Sequence, residues 1–404
     1  MEKYFFVDKS KNVEITYNYL LDFLNKSDEF VPCYRNSNIG EFLLNLIKAL
    51  VSDNDVILVD SDISTEEVDR SEIDKEFFKT KKVKIQCRNI FEIIEKVKNS
   101  KSEVTLFTSG TTGTPKKIVH SIQSLTRNTK TDERFAENVW AYCYNPTHMA
   151  GIQVFFQAFF NQNPLIYLFS QKREEIFAEF EKYQITNISA TPTFYRLLLP
   201  FEKEFKSIKK VTFGGEKTDE KLIEKMKHLF PNAKFYNIYA STEVGSLFTS
   251  NGEFFSIPQL LSDKIKILEN ELLIHKSLLA KNLEDKEDWY STGDLVQIIS
   301  ENPVSFKFNG RKSEMINSGG YKINPKEVEE TISQLAEIKY AKVFAKKNSV
   351  LGNIVCAEIL FDDNCSLTEE QIRTHLKSKL QEFKIPRIYK IIDKIEMTNN
   401  GKLK

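Results

Sequence analysis

Cysteine is scarce and unpatterned in this chain: Cys33, Cys87, Cys143, Cys356 and Cys365 are an odd number without C-x-x-C spacing. That excludes a disulfide framework and offers no zinc motif, so all five read as reduced thiols. An excess of one charge is missing as well. Fifty-seven basic and 57 acidic residues cancel to a formal charge of +0, which removes the electrostatic case for a nucleic-acid or anionic-membrane partner. Long apolar runs are lacking. The most apolar stretch, Gly151 to Phe169, is broken by Gln153, Gln157, Asn161, Gln162, Asn163 and Pro164, and reads as buried protein rather than a membrane span. The first residues do not have the basic, apolar, small-residue layout of a signal peptide, so the expected location is cytoplasmic. No G-x-G-x-x-G occurs, and Lys117 stands where a P-loop needs Ser or Thr after Lys116, so the dinucleotide fold and the P-loop NTPases are set aside.

Glycine is also rare, at 14 of 404 residues, but most of it is gathered into a few short stretches. Such clustering marks places where backbone turns sharply or approaches a ligand. The richest is Thr108-Ser109-Gly110-Thr111-Thr112-Gly113-Thr114-Pro115-Lys116, directly after the β-rich run Val104 to Thr108. Its hydroxyls, glycine N–H groups and lysine form a donor set suited to a polyphosphate.

Through the first three quarters, β-rich runs alternate with amphipathic helical patterns, the rhythm of βα units around a largely parallel sheet. Val56 to Val59, Val104 to Thr108, Ile188 to Ala190, Lys209 to Phe213 and Phe235 to Ile238 are the clearest predicted strands. Thr218 can cap a helix whose face is Leu222, Met226, Leu229 and Phe230. Lys264 to Leu268 and Glu271 to His275 flank Glu269-Asn270 and predict a hairpin in a small antiparallel element. Asn324-Pro325-Lys326-Glu327 predicts a helix start, with the glutamate bonding back to the asparagine cap, and Thr368 with Gln371 predicts another helix running to about Phe383. The expected fold class is therefore α/β: a large domain of βα-layered sheets with a small antiparallel element, over residues 1–309, a hinge at 310–313, and a small mobile α+β lid at 314–404.

Five stretches in one order resemble the adenylate-forming (AMP-binding) superfamily of acyl-CoA synthetases, luciferases and peptide-synthetase adenylation domains, from about Val104 to the C-terminus. They are the hydroxyl-glycine stretch, Phe213-Gly214-Gly215-Glu216, Tyr239-Ala240-Ser241-Thr242-Glu243, Trp289-Tyr-Ser-Thr-Gly-Asp294, and Gly310-Arg311 through Glu329, followed by Asn400-Gly401-Lys402. The resemblance implies ATP phosphates at Thr108 to Gly113 and Lys116, adenine at Gly214, Gly215, Glu216 and Tyr239, and ribose at Asp294 and Arg311. It further implies Thr242 on phosphate, Glu243 as the Mg²⁺ ligand and Lys402 as the adenylation catalyst. Read as residues alone, Asp294 and Arg311 could equally form an ordinary ion pair, and Tyr239 could be core.

Pro146-Thr-His148-Met149-Ala-Gly151 is similar to the family's acid-pocket motif, one residue short; with Ala240 it implies an acid pocket, and Phe155, Phe156, Phe159 and Phe160 are either its aromatic wall or plain core. Gly319 and Gly320 are implied in the thiol path, and Ser313 replaces the usual acidic or lysine residue at the hinge. The region before Val104 is shorter than in most of the family. Small size and Ser318 to Pro325 resemble the o-succinylbenzoate-CoA ligase type. The implied activity is ATP-dependent conversion of a small carboxylic acid to an acyl-adenylate, then to a thioester on CoA or on the phosphopantetheine of an acyl carrier protein. A different reading is a nucleotide-binding scaffold of the same fold that has lost turnover. His120, His228, His275 and His375 have no role legible in the sequence.

Overall fold

The computed structural model describes residues 2–35, 37–60, 73–108, 116–218, 220–283, 287–318, 321–348, 352–362 and 367–395. By contacts the chain divides into two units, one holding Met1–Glu253 and His275–Asp288 and the other holding Phe254–Ile274 and Trp289–Met397. The five-stranded antiparallel sheet that precedes residue 310 thus groups with the C-terminal residues, a division distinct from the proposed hinge.

An eight-stranded sheet organises the first unit, in the order Gly245–Ser250, Lys234–Ser241, Lys210–Gly214, Asn187–Ala190, Trp140–Tyr142, Leu165–Tyr167, Tyr4–Asp8, Val13–Thr16. Its inner pairs are parallel and its two edge strands antiparallel, as the alternating βα rhythm predicts. Neighbouring residues of one strand point to opposite faces. Phe6, Trp140, Tyr142 and Leu165 accordingly enter one core while Val7, Ala141, Cys143 and Ile166 enter another. A sheet apolar on both faces must be covered on both. The helices Ile39–Val51 and Met149–Phe159 cover the first face, and Glu220–Leu229, with Leu222, Met226 and Leu229 buried, covers the second.

A separate three-stranded sheet carries the loop of most interest. Val56–Ile57 runs parallel to Glu103–Thr108, which pairs antiparallel with Lys116–Ser121. In the second unit, Ile265–Leu268 and Glu271–His275 pair as predicted, with Glu269 and Asn270 at φ +50° and +63°, the left-handed pair a two-residue hairpin turn demands. The remaining C-terminal sheet is Ile338–Asn348, Gly352–Phe361 and Ile388–Ile391, packed with the helices Pro325–Ile332 and Glu369–Lys377.

Two local expectations change and one open alternative is resolved. Asn324 does cap its helix, accepting from the Lys326 amide, but Glu327 turns away and accepts from Lys384 Nζ at 2.8 Å through both oxygens. The Thr368–Gln371 capping box forms, yet its helix stops at Lys377. Phe155, Phe156 and Phe159 are fully buried among Phe5, Tyr17 and one another, with Phe155 stacked on Phe159 at 5.4 Å, so these rings are core. Each contributes about 1.5–3 kcal/mol of burial to the first unit.

Candidate active site

Thr108 and Lys116, which flank the hydroxyl-glycine stretch, are paired residues at the end of an antiparallel ladder. Ser109, Gly110, Thr111, Thr112 and Gly113 lie outside the described residues. A strand, not a helix, follows at Lys116–Ser121, so among the described residues there the positive charge offered to a polyphosphate is the Lys116 ammonium rather than a helix N-terminus. Its Nζ stands 3.6 Å from Glu243 Oε1, with the two side chains 39% and 19% exposed.

Glu243 belongs to a second hairpin. Lys234–Ser241 and Gly245–Ser250 are joined by Thr242, Glu243 and Val244, with Ser241 opposite Gly245. Gly245, the first strand residue after the turn, has φ +74°, a left-handed conformation that favours glycine, and a Cβ there would lie 2.9 Å from Gln153 Nε2. Val244 is buried and anchors the turn, while the Glu243 carbonyl accepts from the Ala280 amide at 2.7 Å. A bulge falls between Tyr239 and Ala240, where an irregular ladder re-aims side chains. The Tyr239 ring packs against Phe248 at 5.6 Å.

Beside this turn, Gly214 ends its strand and Gly215 takes φ +82°. A Cβ on Gly214 would come within 3.2 Å of the Tyr144 hydroxyl, so a side chain there would press on that buried group. Burial raises the Tyr144 pKa well above its usual range. Glu216 is engaged structurally, accepting from the amide and hydroxyl of Thr193 at 3.1 and 2.7 Å where the Pro192–Leu197 helix starts.

The acid-pocket motif sits at the start of the Met149–Phe159 helix, with His148 at the cap position and Met149 buried. A Cβ on Gly151 would collide with the Asn145 carbonyl, so only glycine fits that crossing. Gln153 on the same helix accepts from the Ser246 hydroxyl at 2.9 Å, tying the helix to the hairpin that carries Ala240. Sequence reasoning missed Asp60. Its carboxylate accepts from Asn145 Nδ2 at 2.6 Å and lies 3.9 Å from His148 Nε2. The available signal was a carboxylate closing the Val56 to Val59 apolar run.

In the second unit Asp294 and Arg311 face each other across two strands, Trp289–Glu301 and Val304–Arg311. Arg311 Nε donates to Asp294 Oδ1 at 2.7 Å; the aspartate side chain is 7% exposed and the arginine 51%. The Arg311 guanidinium thus holds the Asp294 carboxylate in place as an ion pair. Glu271 was also missed. Its Oε1 accepts from the Ser291 hydroxyl and, at 2.8 Å, from the Gly293 amide, while Oε2 lies 3.3 Å from Lys312 Nζ. Burial pushes the Glu271 carboxyl upward, but the Ser291 and Gly293 donors and Lys312 outweigh it and hold its pKa below the usual range. It thus fixes the backbone that presents Asp294. Ser313 lies in the short turn Lys312–Glu314 that follows. Gly319, Gly320 and Lys402 lie outside the described residues.

Among the described residues no cluster of three or more His, Cys, Asp or Glu is placed to hold a metal, and no helix is long and apolar enough to cross a membrane. A lone carboxylate nonetheless suits Mg²⁺, which takes one or two protein oxygens together with phosphate oxygens and water. Glu243, presented on a rigid turn beside Lys116, fits that requirement.

Comparison with known proteins finds relatives at low identity. A 2-succinylbenzoate–CoA ligase of Staphylococcus epidermidis is 24% identical over 74% of this chain and 67% of its own length, and a D-alanine–D-alanyl carrier protein ligase of the same species is 27% identical over 74% and 69%. Against three further curated relatives the chain spans only 5%, 14% and 60% of their lengths. The ATP-bound structure of MatB from Rhodopseudomonas palustris shares the fold, with a TM-score of 0.75 at 16% identity, covering 100% of this chain and 94% of that one. The AMP-binding enzyme C-terminal domain matches residues 327–402. The AMP-binding enzyme profile matches residues 43–267, more than half of the sequence, and the chain belongs to that family of adenylate-forming enzymes.

Proposed function

We propose that the chain is an ATP-dependent acid–thiol ligase. A carboxylate resists thiol attack because its leaving group is oxide; joining it to AMP supplies a good one. In the first half-reaction a carboxylate oxygen attacks the α-phosphorus of ATP, and pyrophosphate leaves. In the second, a thiol attacks the acyl carbon and AMP leaves. The observation that carries this reading is the pair of antiparallel ladders that set Lys116 3.6 Å from Glu243 at the end of the hydroxyl-glycine stretch.

Within it, Thr242 and Lys116 hold phosphate oxygens, Gly214, Gly215 and Tyr239 receive adenine, and Asp294, fixed by Arg311, accepts from the ribose hydroxyls. Glu243 would hold Mg²⁺, which would supply positive charge against the triphosphate. Lys402 stabilises the charge that grows at the α-phosphorus and then withdraws, by rotation of a lid about 310–313, so that a thiol passes Gly319 and Gly320. His148, Met149, Gly151 and Ala240 surround the acid. The acceptor is the thiol of a pantetheine arm, on CoA or on a carrier protein, the two acceptors for which the staphylococcal relatives are named.

The test is carboxylate-dependent exchange between ATP and pyrophosphate across a panel of acids. At least one acid should support exchange. Tight ATP binding with no exchange for any acid would instead support the scaffold without turnover, which the retained Glu243, Asp294 and Lys402 disfavour.

A further inference from the structure

His120 is fully buried in the strand that leaves the hydroxyl-glycine loop, and both of its ring nitrogens are engaged. Nε2 lies 2.7 Å from the carbonyl oxygen of Thr242, 122 residues away in sequence. A carbonyl only accepts, so Nε2 carries the hydrogen and donates it. Nδ1 then accepts from the Ser124 hydroxyl at 3.0 Å. Ser124 is itself held, its amide donating to Ser121 Oγ at 3.1 Å at the start of the helix Ile122–Thr126. The imidazole is thus locked in one tautomer and one orientation.

Alternation along a strand puts Lys116, Ile118 and His120 on one face. From that face two side chains reach the same turn: Lys116 at the Glu243 carboxylate and His120 at the Thr242 carbonyl. The opposite side of the strand is held by Asn282, which accepts from the Val119 amide at 3.0 Å and donates to the Lys117 carbonyl at 2.9 Å. Ala280, two residues before Asn282, donates to the Glu243 carbonyl. Successive carbonyls of the turn, those of Thr242 and Glu243, therefore hang from donors that belong to, or are stapled onto, the strand whose first residue is Lys116. Moving either hairpin moves the other.

We infer that His120 is a positioning residue for nucleotide binding: through the Thr242 carbonyl it sets the Thr242–Glu243 turn beside Lys116, so that the threonine hydroxyl and the glutamate carboxylate address one triphosphate and its Mg²⁺. The inference rests on the ligase reading for the ligand, and it adds a residue that touches neither phosphate nor metal. A histidine is required rather than an apolar residue of similar bulk because only a donor holds that carbonyl, and a glutamine keeps such a donor.

The test is calorimetric binding to the full chain of MgATP and, separately, of adenosine, which has no phosphate for the turn to hold, together with melting temperatures. His120→Leu should weaken MgATP binding about tenfold, the scale of one lost hydrogen bond, leave adenosine binding within about twofold, and His120→Gln should recover most of the loss. If His120→Leu does not fold, Ser124→Ala carries the test, since it releases the ring's orientation; MgATP binding should then weaken about threefold against unchanged adenosine binding. MgATP binding unchanged in a folded His120→Leu, or equal losses for MgATP and adenosine, would overturn the inference and leave the ligase reading standing. No MgATP binding by the native chain would overturn both.

Discussion

Two carboxylates in this protein are presented by backbone that is itself held, Glu243 on a hairpin turn and Asp294 in a strand where Gly293 takes φ +73°, and the two are built differently. At Thr242–Glu243 the framework is rigid, its carbonyls held by His120 and Ala280, while the Glu243 carboxylate meets its cation only at 3.6 Å. At Asp294 the carboxylate itself is held, nearly buried and 2.7 Å from Arg311, and the backbone before it is pinned by Glu271. The contrast separates two kinds of preorganisation. A carboxylate with its backbone fixed and its oxygens loosely engaged is ready for a metal and phosphates, whose charges replace the lysine. A carboxylate already clamped by a guanidinium keeps one geometry and suits hydroxyl donors, which need orientation more than charge.

Substitutions break or sharpen this contrast in a definite order. Lys402→Ala should cost adenylation about a hundredfold or more while thiolysis of supplied acyl-AMP survives; equal loss of both half-reactions would remove the assigned role. Glu243→Gln should weaken apparent Mg²⁺ affinity in MgATP binding by about ten- to a hundredfold and leave adenosine binding intact. Asp294→Asn should do the reverse, weakening adenosine about tenfold, the value of a charge-assisted hydrogen bond, with little change in Mg²⁺ dependence. Identical Mg²⁺ profiles for these two variants would erase the distinction.

The last prediction concerns stability rather than binding, at a charge that serves neither carboxylate. Lys48 is fully buried, donating to the Ser27 and Glu29 carbonyls at 2.8 and 3.2 Å and lying 4.3 Å over the Phe23 ring. Burial lowers its pKa from 10.5 to about 8. The fold therefore favours the neutral amine, the unfolded chain binds the extra proton between those values, and stability should rise as pH climbs from about 8 toward 10.5. Measured against Lys48→Met by thermal unfolding, the native chain should gain on the order of 3 kcal/mol over that window. A flat or falling difference would contradict the assignment. Nucleotide affinity should not follow it.

What the sequence made legible was local chemistry. The Glu269-Asn270 hairpin, the Asn324 and Thr368 caps and the glycine-rich turns depend on residues a few positions apart, and their backbone demands leave a compositional trace. The long strand Trp289–Glu301 was not legible. Gly293 at φ +73° gives Ser291 to Asp294 the look of a loop, and mixed exposure hides the alternation that follows. Also hidden were the supports of the site. Asp60, His120 and Glu271 act on partners 85, 122 and about 20 positions away, through bonds that only the folded topology creates. The phenylalanines of the Met149–Phe159 helix show the same limit, since one helical face serves a pocket wall or a core equally well until its neighbours are placed.

Transfer of isotope decides most directly whether this chain joins an acid to AMP. With an acid from the exchange panel labelled with ¹⁸O in its carboxyl group, turnover in the presence of ATP, Mg²⁺ and a pantetheine thiol should place one labelled oxygen in the AMP released. Unlabelled AMP, or label recovered in inorganic phosphate beside ADP, would contradict attack at the α-phosphorus.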